Sequence, residues 1–307
     1  MNVGRLALDV FCTTRFAFAS FQHSIAKMKE PNSQSSAVAK FTTMHESGCF
    51  VLPNPWDVGT ALYLQHLGFE ALATTSAGFA FSRGKPDGGV ALDEMLAHIG
   101  EVVAATPLPV NADLLNGFAD EPEDISTNVK LCIATGVGGL SIEDNSGNSA
   151  APLYEKNLAV DRIRAARKAI DASGVPVVLT GRCEAWLVGK PDPFRVALDR
   201  LVAYAEAGAD CLYAPGVKKP DEIADIVKAV APKPVNVLVS GFNRELSLSQ
   251  LADLGVRRIS VGSGLAAVAW DAFIRAARGI ATTGQFDNAF ANVISTAELN
   301  EVFSKRD

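Results

Sequence analysis

Short apolar runs rich in β-branched residues alternate with longer amphipathic stretches along most of this chain. Such a run is typical of a buried strand, and the stretches between the runs have the length of helices. Strands that alternate with helices pair in parallel through crossover connections, and eight such units in about 250 residues predict a (β/α)8 barrel. The predicted strands are Cys49–Pro53, Ala71–Ser76, Pro109–Leu114, Gly139–Asp144, Pro176–Arg182, Cys211–Pro215, Pro234–Val239 and Arg257–Gly262.

The two ends of the chain depart from this pattern. Residues 28–40 are polar and serine-rich, which predicts a flexible leader, so that residues 1–44 precede a barrel at 45–284. Residues 1–27 have a single acid, Asp9, and indicate either a transit peptide or a start placed too early, with translation from Met28 or Met44. A helix at Leu265–Ile280 is followed by a helical tail at 285–307, and together they exceed what eight units need, so we expect them to pack on a second copy of the chain. As an alternative, the helix at Leu265–Ile280 is the eighth helix of the barrel and packs on its own barrel.

Composition excludes several classes of partner. A net charge of −6 argues against nucleic acid and against an anionic membrane surface. Five cysteines without C-x-x-C spacing are typical of a reducing compartment and predict no structural zinc. No apolar run is long enough to cross a membrane. We therefore expect a cytoplasmic protein, or an organellar-matrix protein if residues 1–27 are a transit peptide.

Acidic residues follow three of the predicted strands, at the end of the barrel where active sites lie. Asp87 lies in the loop after strand two, Asp113 ends strand three and Glu143 ends strand four. Oxygen ligands without His or Cys suit Mg²⁺ or Mn²⁺, so these three residues predict a metal site. As alternatives, Asp113 and Glu143 are rim acids paired with lysines, and Asp87 is an ordinary turn residue.

Other polar residues at the same end of the barrel suit a small carboxylic acid. Arg182, at the end of strand five, can bind a carboxylate through two hydrogen bonds, and we assign it and Asp87 to catalysis. Thr75, Ser76 and Ala77 offer hydroxyl and backbone N–H donors for a carboxylate or an enolate oxygen. Glu184 is a further substrate-site candidate, with the alternative that it only orients Arg182. Helix caps are the alternative for Ser76 and Asp144.

Taken together, these segments resemble the isocitrate lyase/phosphoenolpyruvate mutase superfamily over residues 45–284. The resemblance implies a Mg²⁺-dependent enzyme that makes or breaks a C–C or P–C bond beside an enolate of a 2-oxo or 2-hydroxy acid. It also implies a homodimer or homotetramer in which the C-terminal helix is exchanged between subunits. The motifs that carry it are Thr75-Ser76-Ala77-Gly78, Asp87, Val110-Asn111-Ala112-Asp113, Ser141-Ile142-Glu143-Asp144 and Gly181-Arg182-Cys183-Glu184-Ala185.

The resemblance also implies roles for individual residues. Asp113 and Glu143 match the acids that hold Mg²⁺ directly or through water, and Asp87 matches an acid near the metal and the migrating group. Ser76–Ala77 matches the segment that binds the substrate carboxylate and oxo oxygen. Arg182 matches the arginine on the substrate carboxylate.

Two departures from the superfamily narrow the expected reaction. Leu115 stands where many members have a second metal-ordering acid. The loop after strand four, at 145–154, lacks the cysteine with which the lyases protonate an enolate and contains no His or Lys. We therefore expect decarboxylation of an oxaloacetate-like acid or a related C–C cleavage. A P–C bond mutase or hydrolase and a non-catalytic binder of oxo-carboxylates remain alternatives. The small polar residues of loop 145–157 predict a mobile lid, or alternatively an ordered loop.

Overall fold

A computed structural model describes residues 31–304, except 242, 288 and 292, and it describes no side chains for residues 31–33. Eight parallel strands form a nearly closed barrel, surrounded by helices, which confirms the predicted (β/α)8 fold. The strands are β1 (Phe50–Leu52), β2 (Leu72–Ala73), β3 (Val110–Asp113), β4 (Gly139–Glu143), β5 (Val178–Arg182), β6 (Cys211–Tyr213), β7 (Val235–Leu238) and β8 (Arg258–Ser260).

Eleven helices occur in the described part of the chain, and most of them connect one strand to the next. They are α1 (Pro31–Glu46), α2 (Val58–His66), α3 (Ser76–Ser82), α4 (Leu92–Ala105), α5 (Pro122–Ala134), α6 (Lys156–Ser173), α7 (Pro193–Glu206), α8 (Pro220–Val230), α9 (Leu248–Asp253), α10 (Gly264–Thr283) and α11 (Thr296–Ser304).

The strands bring the predicted site residues together at the C-terminal end of the barrel. Glu143 on β4 pairs with Arg182 on β5, and Arg182 pairs with Tyr213 on β6. Asp113 ends the neighbouring strand β3 and pairs with Ser141. Between β1 and β2 the circle is closed by a hydrogen bond of 3.0 Å from the Ala73 N–H to the Pro53 carbonyl. The barrel thus gathers residues that are up to 100 positions apart in sequence.

Helix α1 is a correction to the predicted flexible leader at 28–40. Its residues Ala37, Val38 and Phe41 are buried, and Phe41 belongs to a core cluster inside the barrel together with Val178. Gln34 donates to the carbonyl of Ile133 at 2.9 Å. The helix forms because an apolar face covers the N-terminal opening of the barrel, an effect that local composition does not report. The predictions for residues 1–27 lie outside the described residues.

The C-terminal segment has many exposed apolar side chains. Within α10 and the described residues after it, the exposed large hydrophobic residues are Leu265, Val268, Trp270, Phe273, Ile274, Phe286, Phe290, Val293, Ile294 and Phe303. In this single chain nothing covers that surface among the described residues. No helix in the described ranges is long and apolar enough to cross a membrane.

Candidate active site

Arg182 lies at the centre of the polar groups at the C-terminal end of the barrel. Its Nε donates to Glu184 Oε1 at 2.5 Å, and its Nη1 lies 3.3 Å from Asp113 Oδ1 and 3.2 Å from Glu143 Oε2. Its guanidinium carbon is 5.2 Å from the centre of the Tyr213 ring. Burial lowers the pKa of this guanidinium, but the carboxylates, Glu143 first, raise it well above its usual value. Arg182 is therefore a fixed positive charge among acids.

The turn from β2 into α3 brings two donors to Asp113. The backbone N–H and the hydroxyl of Ser76 donate to Asp113 Oδ2 at 3.0 and 2.8 Å. The N-cap of α3 is Thr75, whose Oγ1 accepts from the Gly78 N–H at 3.2 Å, so the cap interpretation of Ser76 is wrong. Ala77 lies in the first turn, where backbone N–H groups have no partner within the helix. Of the three predicted residues, Ser76 thus contacts the acid cluster, and Thr75 and Ala77 are its neighbours in the chain.

Glu143 is buried, and its Oε2 has no hydrogen-bond partner among the described residues, because Arg182 Nη1 approaches it without hydrogen-bond geometry. Burial raises the pKa of Glu143 well above its usual value, and the carboxylates of Glu184, Asp113 and Asp87 raise it further, while Arg182 lowers it. An unpartnered buried oxygen among carboxylates is a place where a cation would be stabilised.

Asp87 and Glu184 complete the cluster. Burial and the nearby Asp113 carboxylate raise the pKa of the Asp87 carboxyl, and Arg182 opposes that effect, although Asp87 as a residue is largely exposed. Burial also raises the pKa of Glu184, against the effect of Arg182. Four acids thus face a single arginine, and the structure brings together every acid that the sequence predicted for this site.

These residues fit a small divalent cation for two reasons. The Glu143 Oε2 atom is buried without a hydrogen-bond partner among the described residues, and the available donors are carboxylate oxygens. Carboxylate oxygens are the ligands that Mg²⁺ and Mn²⁺ prefer. Within the described ranges no three His, Cys, Asp or Glu side chains converge on one point as a preformed cage. Mg²⁺ is commonly held by one or two carboxylates and keeps several waters, so Asp113 and Glu143 are a sufficient pair.

Asp144 supports this cluster from behind. Its carboxylate accepts from the Glu184 N–H at 2.8 Å, from Arg200 Nη1 at 3.0 Å and from the Tyr204 hydroxyl at 2.7 Å. Its contacts are therefore with β5 and α7, and it is not the cap of the next turn.

Two buried arginines on the surrounding helices were not identified from the sequence. Arg200 on α7 contacts Asp144, and Arg162 on α6 donates to the carbonyls of Ala119, Asp120 and Asn116 in the loop after β3. A signal for them was present, because each occupies an apolar position of its helix. Arg162 stands between buried Ala159 and Ala166, and Arg200 between buried Ala197 and Tyr204. A charged residue on a buried helix face has a specific partner.

The loop after β4 is shorter than the predicted 145–157, because α6 already begins at Lys156. Its ends meet in an antiparallel bridge between Asn145 and Leu153, and the Ser146 hydroxyl donates to the Ala151 carbonyl at 2.6 Å. Residues 147–151 are exposed. The loop is therefore compact, with its two ends hydrogen-bonded to each other and its middle exposed, and it follows the C-terminal end of β4.

Comparison with known proteins connects this geometry to a family. The sequence model of the family described as phosphoenolpyruvate phosphomutase matches residues 41–281, which is most of the chain. The chain belongs to this phosphoenolpyruvate mutase family. The match also confirms the resemblance to the isocitrate lyase/phosphoenolpyruvate mutase superfamily, whose members are in general Mg²⁺-dependent lyases or mutases of oxo acids.

Individual proteins similar to this phosphoenolpyruvate mutase family member include curated sequences and a solved structure. An uncharacterized protein of Mycobacterium tuberculosis is 35% identical over 227 residues, covering 73% of this chain and 81% of that protein. A 2-methylisocitrate lyase of Salmonella typhimurium is 35% identical over 162 residues, covering 50% of this chain and 53% of the lyase. The crystal structure of a candidate lyase/mutase from Burkholderia cenocepacia J2315 is 45% identical with a TM-score of 0.86, covering 90% and 98% of the two chains.

Proposed function

We propose that the protein is a Mg²⁺-dependent lyase of a small 2-oxo or 2-hydroxy acid that acts through an enolate, with decarboxylation of an oxaloacetate-like substrate as its leading reaction. One observation carries the proposal: the guanidinium of the partly buried Arg182 lies within 3.3 Å of two acids that suit Mg²⁺. The observation supports the proposal because Arg182 could bind a carboxylate beside a metal that polarises the neighbouring carbonyl.

Different residues bind the metal and the substrate in this proposal. Asp113 and Glu143 would hold Mg²⁺, which when bound withdraws electrons from the oxo oxygen of the substrate. Arg182 binds the carboxylate next to that oxygen. The backbone N–H of Ala77, in the first turn of α3, binds the same carboxylate or the developing enolate oxygen, while Ser76 holds Asp113 in place beside it. Glu184 holds the guanidinium of Arg182 in place through Nε.

Decarboxylation requires no further acid or base from the chain. The bond between the β-carbon and the distal carboxylate breaks, CO₂ leaves, and the electron pair forms the enolate of the 2-oxo acid. A proton from solvent then converts the enolate to the product. The loop at 145–154 contains no Cys, His or Lys that would deliver this proton, which supports decarboxylation over cleavage of an isocitrate-like acid.

A screen of 2-oxo and 2-hydroxy acids with Mg²⁺ and Mn²⁺ tests the proposal, with CO₂ release and pyruvate formation as readouts. We expect turnover of an oxaloacetate-like acid that is lost with EDTA and falls at least about 100-fold in Asp113→Asn, the scale of removing one electrostatic stabiliser. Asp93→Asn, an exposed acid on α4, is the matched control. Absence of turnover, with unchanged ligand binding in Asp113→Ala, would contradict the proposal.

A second candidate is a mutase or hydrolase of a P–C bond, favoured by the description of the matching family as phosphoenolpyruvate phosphomutase. In this case Asp87 lies near the phosphoryl group. Phosphorus NMR with phosphonopyruvate separates the candidates, because a shifted or lost phosphonate signal occurs only with P–C chemistry. A third candidate, a non-catalytic binder of oxo-carboxylates, rests on Leu115 and on the uncharged loop, and it predicts binding without turnover of any acid.

A further inference from the structure

Arg200 joins the two ends of the loop at 145–153, whose middle residues 147–151 are exposed. Its Nη1 donates to Asp144 Oδ2 at 3.0 Å, just before the loop, and its Nη2 donates to the Tyr154 carbonyl at 2.7 Å, just after it. The Tyr154 N–H in turn donates to the Asp144 carbonyl at 3.0 Å. Arg200 and Asp144 are both buried, so these are charge-assisted bonds that water screens little.

The same Asp144 is linked to the arginine at the centre of the site. Its Oδ1 accepts from the Glu184 N–H at 2.8 Å, and its own N–H donates to the Arg182 carbonyl at 3.1 Å. Glu184 then holds Arg182 by the 2.5 Å bond to Nε. A continuous chain of hydrogen bonds therefore runs from the base of the loop to the guanidinium that we propose binds substrate.

We infer that Arg200 is a positioning residue that couples the loop at 145–153 to Arg182. Closure of the loop over an oxo acid and binding of that acid by Arg182 then both depend on the contacts of Arg200, which we call the anchor. The inference rests on the proposed function for its ligand. It does not require Arg200 to touch substrate. Arg200 uses two separate nitrogens of its planar guanidinium for Asp144 and Tyr154, a geometry that the single ammonium nitrogen of a lysine does not reproduce.

The anchor has two branches, one from Arg200 through Asp144 toward Arg182 and one from Arg200 to the Tyr154 carbonyl. Substitution of Tyr204 distinguishes them. The Tyr204 hydroxyl donates to Asp144 Oδ2 at 2.7 Å and accepts from Arg200 Nη1 at 3.4 Å, whereas the Tyr154 carbonyl accepts from Arg200 Nη2. Tyr204→Phe therefore weakens the branch toward Arg182 and leaves the bond between Arg200 and the Tyr154 carbonyl in place. Arg200→Lys weakens both branches while keeping a positive charge beside Asp144.

Limited proteolysis of the full chain with elastase, which cuts after small residues such as Ala150, tests the inference. The rate of cutting reports the population of open loop. We expect Arg200→Lys to be cut about tenfold faster than wild type without ligand, the factor for one lost charge-assisted hydrogen bond. Arg195→Lys, an exposed arginine on the same helix, is the control and should be cut at the wild-type rate.

Binding of oxalate in the presence of Mg²⁺ is the second readout, measured by calorimetry. We expect a Kd raised about tenfold in both Arg200→Lys and Tyr204→Phe, with faster cutting in Arg200→Lys alone. Wild-type cutting and wild-type oxalate affinity in Arg200→Lys would overturn the inference. If that variant loses its cooperative unfolding transition, unchanged oxalate affinity in Tyr204→Phe overturns it instead. Failure of oxalate to bind wild type would contradict the proposed function, whereas the cutting rates without ligand still test the anchor.

Discussion

Leu115 lies beside the acid cluster in a left-handed backbone conformation, with a φ of 51°. Its carbonyl accepts from the Glu143 N–H at 3.0 Å, which explains why the backbone keeps this shape. A leucine there costs about 1–2 kcal/mol, whereas Asp and Asn tolerate the conformation better. The backbone is therefore shaped for a short polar side chain at a position where the superfamily often has an acid.

Leu115→Asp is expected to lower the Kd for Mn²⁺ roughly tenfold, because it adds a carboxylate next to Asp113 and Glu143. Titration followed by electron paramagnetic resonance of free Mn²⁺ measures it. Leu115→Asn is the control, since it relieves the same backbone strain without a charge and should leave the Kd near the wild-type value. Equal affinity in the two variants would show that residue 115 does not reach the ion.

His45 gives the protein a pH dependence of stability that is independent of the site. Its Nδ1 lies 2.7 Å from the Phe41 carbonyl and its Nε2 lies 3.2 Å from Arg258 Nη1, partners that suit a neutral ring with the proton on Nδ1. Burial, and then the charge of Arg258, lower the pKa of His45 to about 3 from 6.5. Between these values the unfolded chain binds a proton that the folded chain does not, so stability falls as pH decreases.

In that interval His45 alone reduces the free energy of unfolding by about 1.4 kcal/mol for each pH unit of acidification. Urea unfolding at about pH 6 and pH 4 should therefore show a smaller loss in His45→Gln than in wild type. His66→Gln, at an exposed position of α2, should lose as much as wild type. A loss in His45→Gln as large as in wild type would mean that the ring is already protonated in the folded state.

At the scale of elements, α1 covers the N-terminal opening of the barrel. Phe41 is fully buried and packs in one cluster with Leu52, Ala71, Val178 and Cys211, residues of four different strands or strand starts. Its ring lies so near Gly139 that a Cβ on that glycine would come within 2.7 Å of it. One aromatic side chain therefore joins the N-terminal helix to the inside of the sheet.

Phe41→Ala is expected to destabilise the protein by about 3–5 kcal/mol, the range for deleting a buried aromatic ring and leaving a cavity. Thr43→Ala, at an exposed position of α1, should change stability by no more than about 0.5 kcal/mol. Urea unfolding measures both. A small effect of Phe41→Ala would mean that α1 is not part of the cooperative fold.

The contrast between the barrel and α1 shows which elements a sequence can predict. Each strand is a local apolar run between turn residues, and all eight were predicted with their ends within a few residues. Helix α1 was missed because its first turns are polar and its stability comes from Phe41 inside the barrel. Arg200 was missed for a related reason: its partner Asp144 is 56 residues away. Strand-end acids such as Asp113 and Glu143 could be predicted, because the fold alone places strand ends together.

At the scale of the whole molecule, apolar surface is concentrated on the C-terminal segment. Val268 and Phe273 on α10 are 67% and 62% exposed, and Phe286, Phe290 and Val293 beyond it are all more than half exposed. Soluble monomers rarely expose contiguous apolar surface of this kind, which in general marks a surface for another protein. Among the residues of α10, Ala266 alone is buried in the single chain.

We expect this surface to be covered by a second copy of the chain, in a homodimer or homotetramer with residues 263–295 in the interface. Light scattering after size-exclusion chromatography should then give a multiple of 32.4 kDa at micromolar concentration. Val268→Lys and Phe273→Glu should shift the protein toward the monomer, because each places an unpaired charge in an apolar interface. Glu101→Lys, an exposed change of charge on α4, is the control and should keep the wild-type mass. A stable 32.4 kDa species for wild type would contradict the prediction and leave the apolar surface for a different protein.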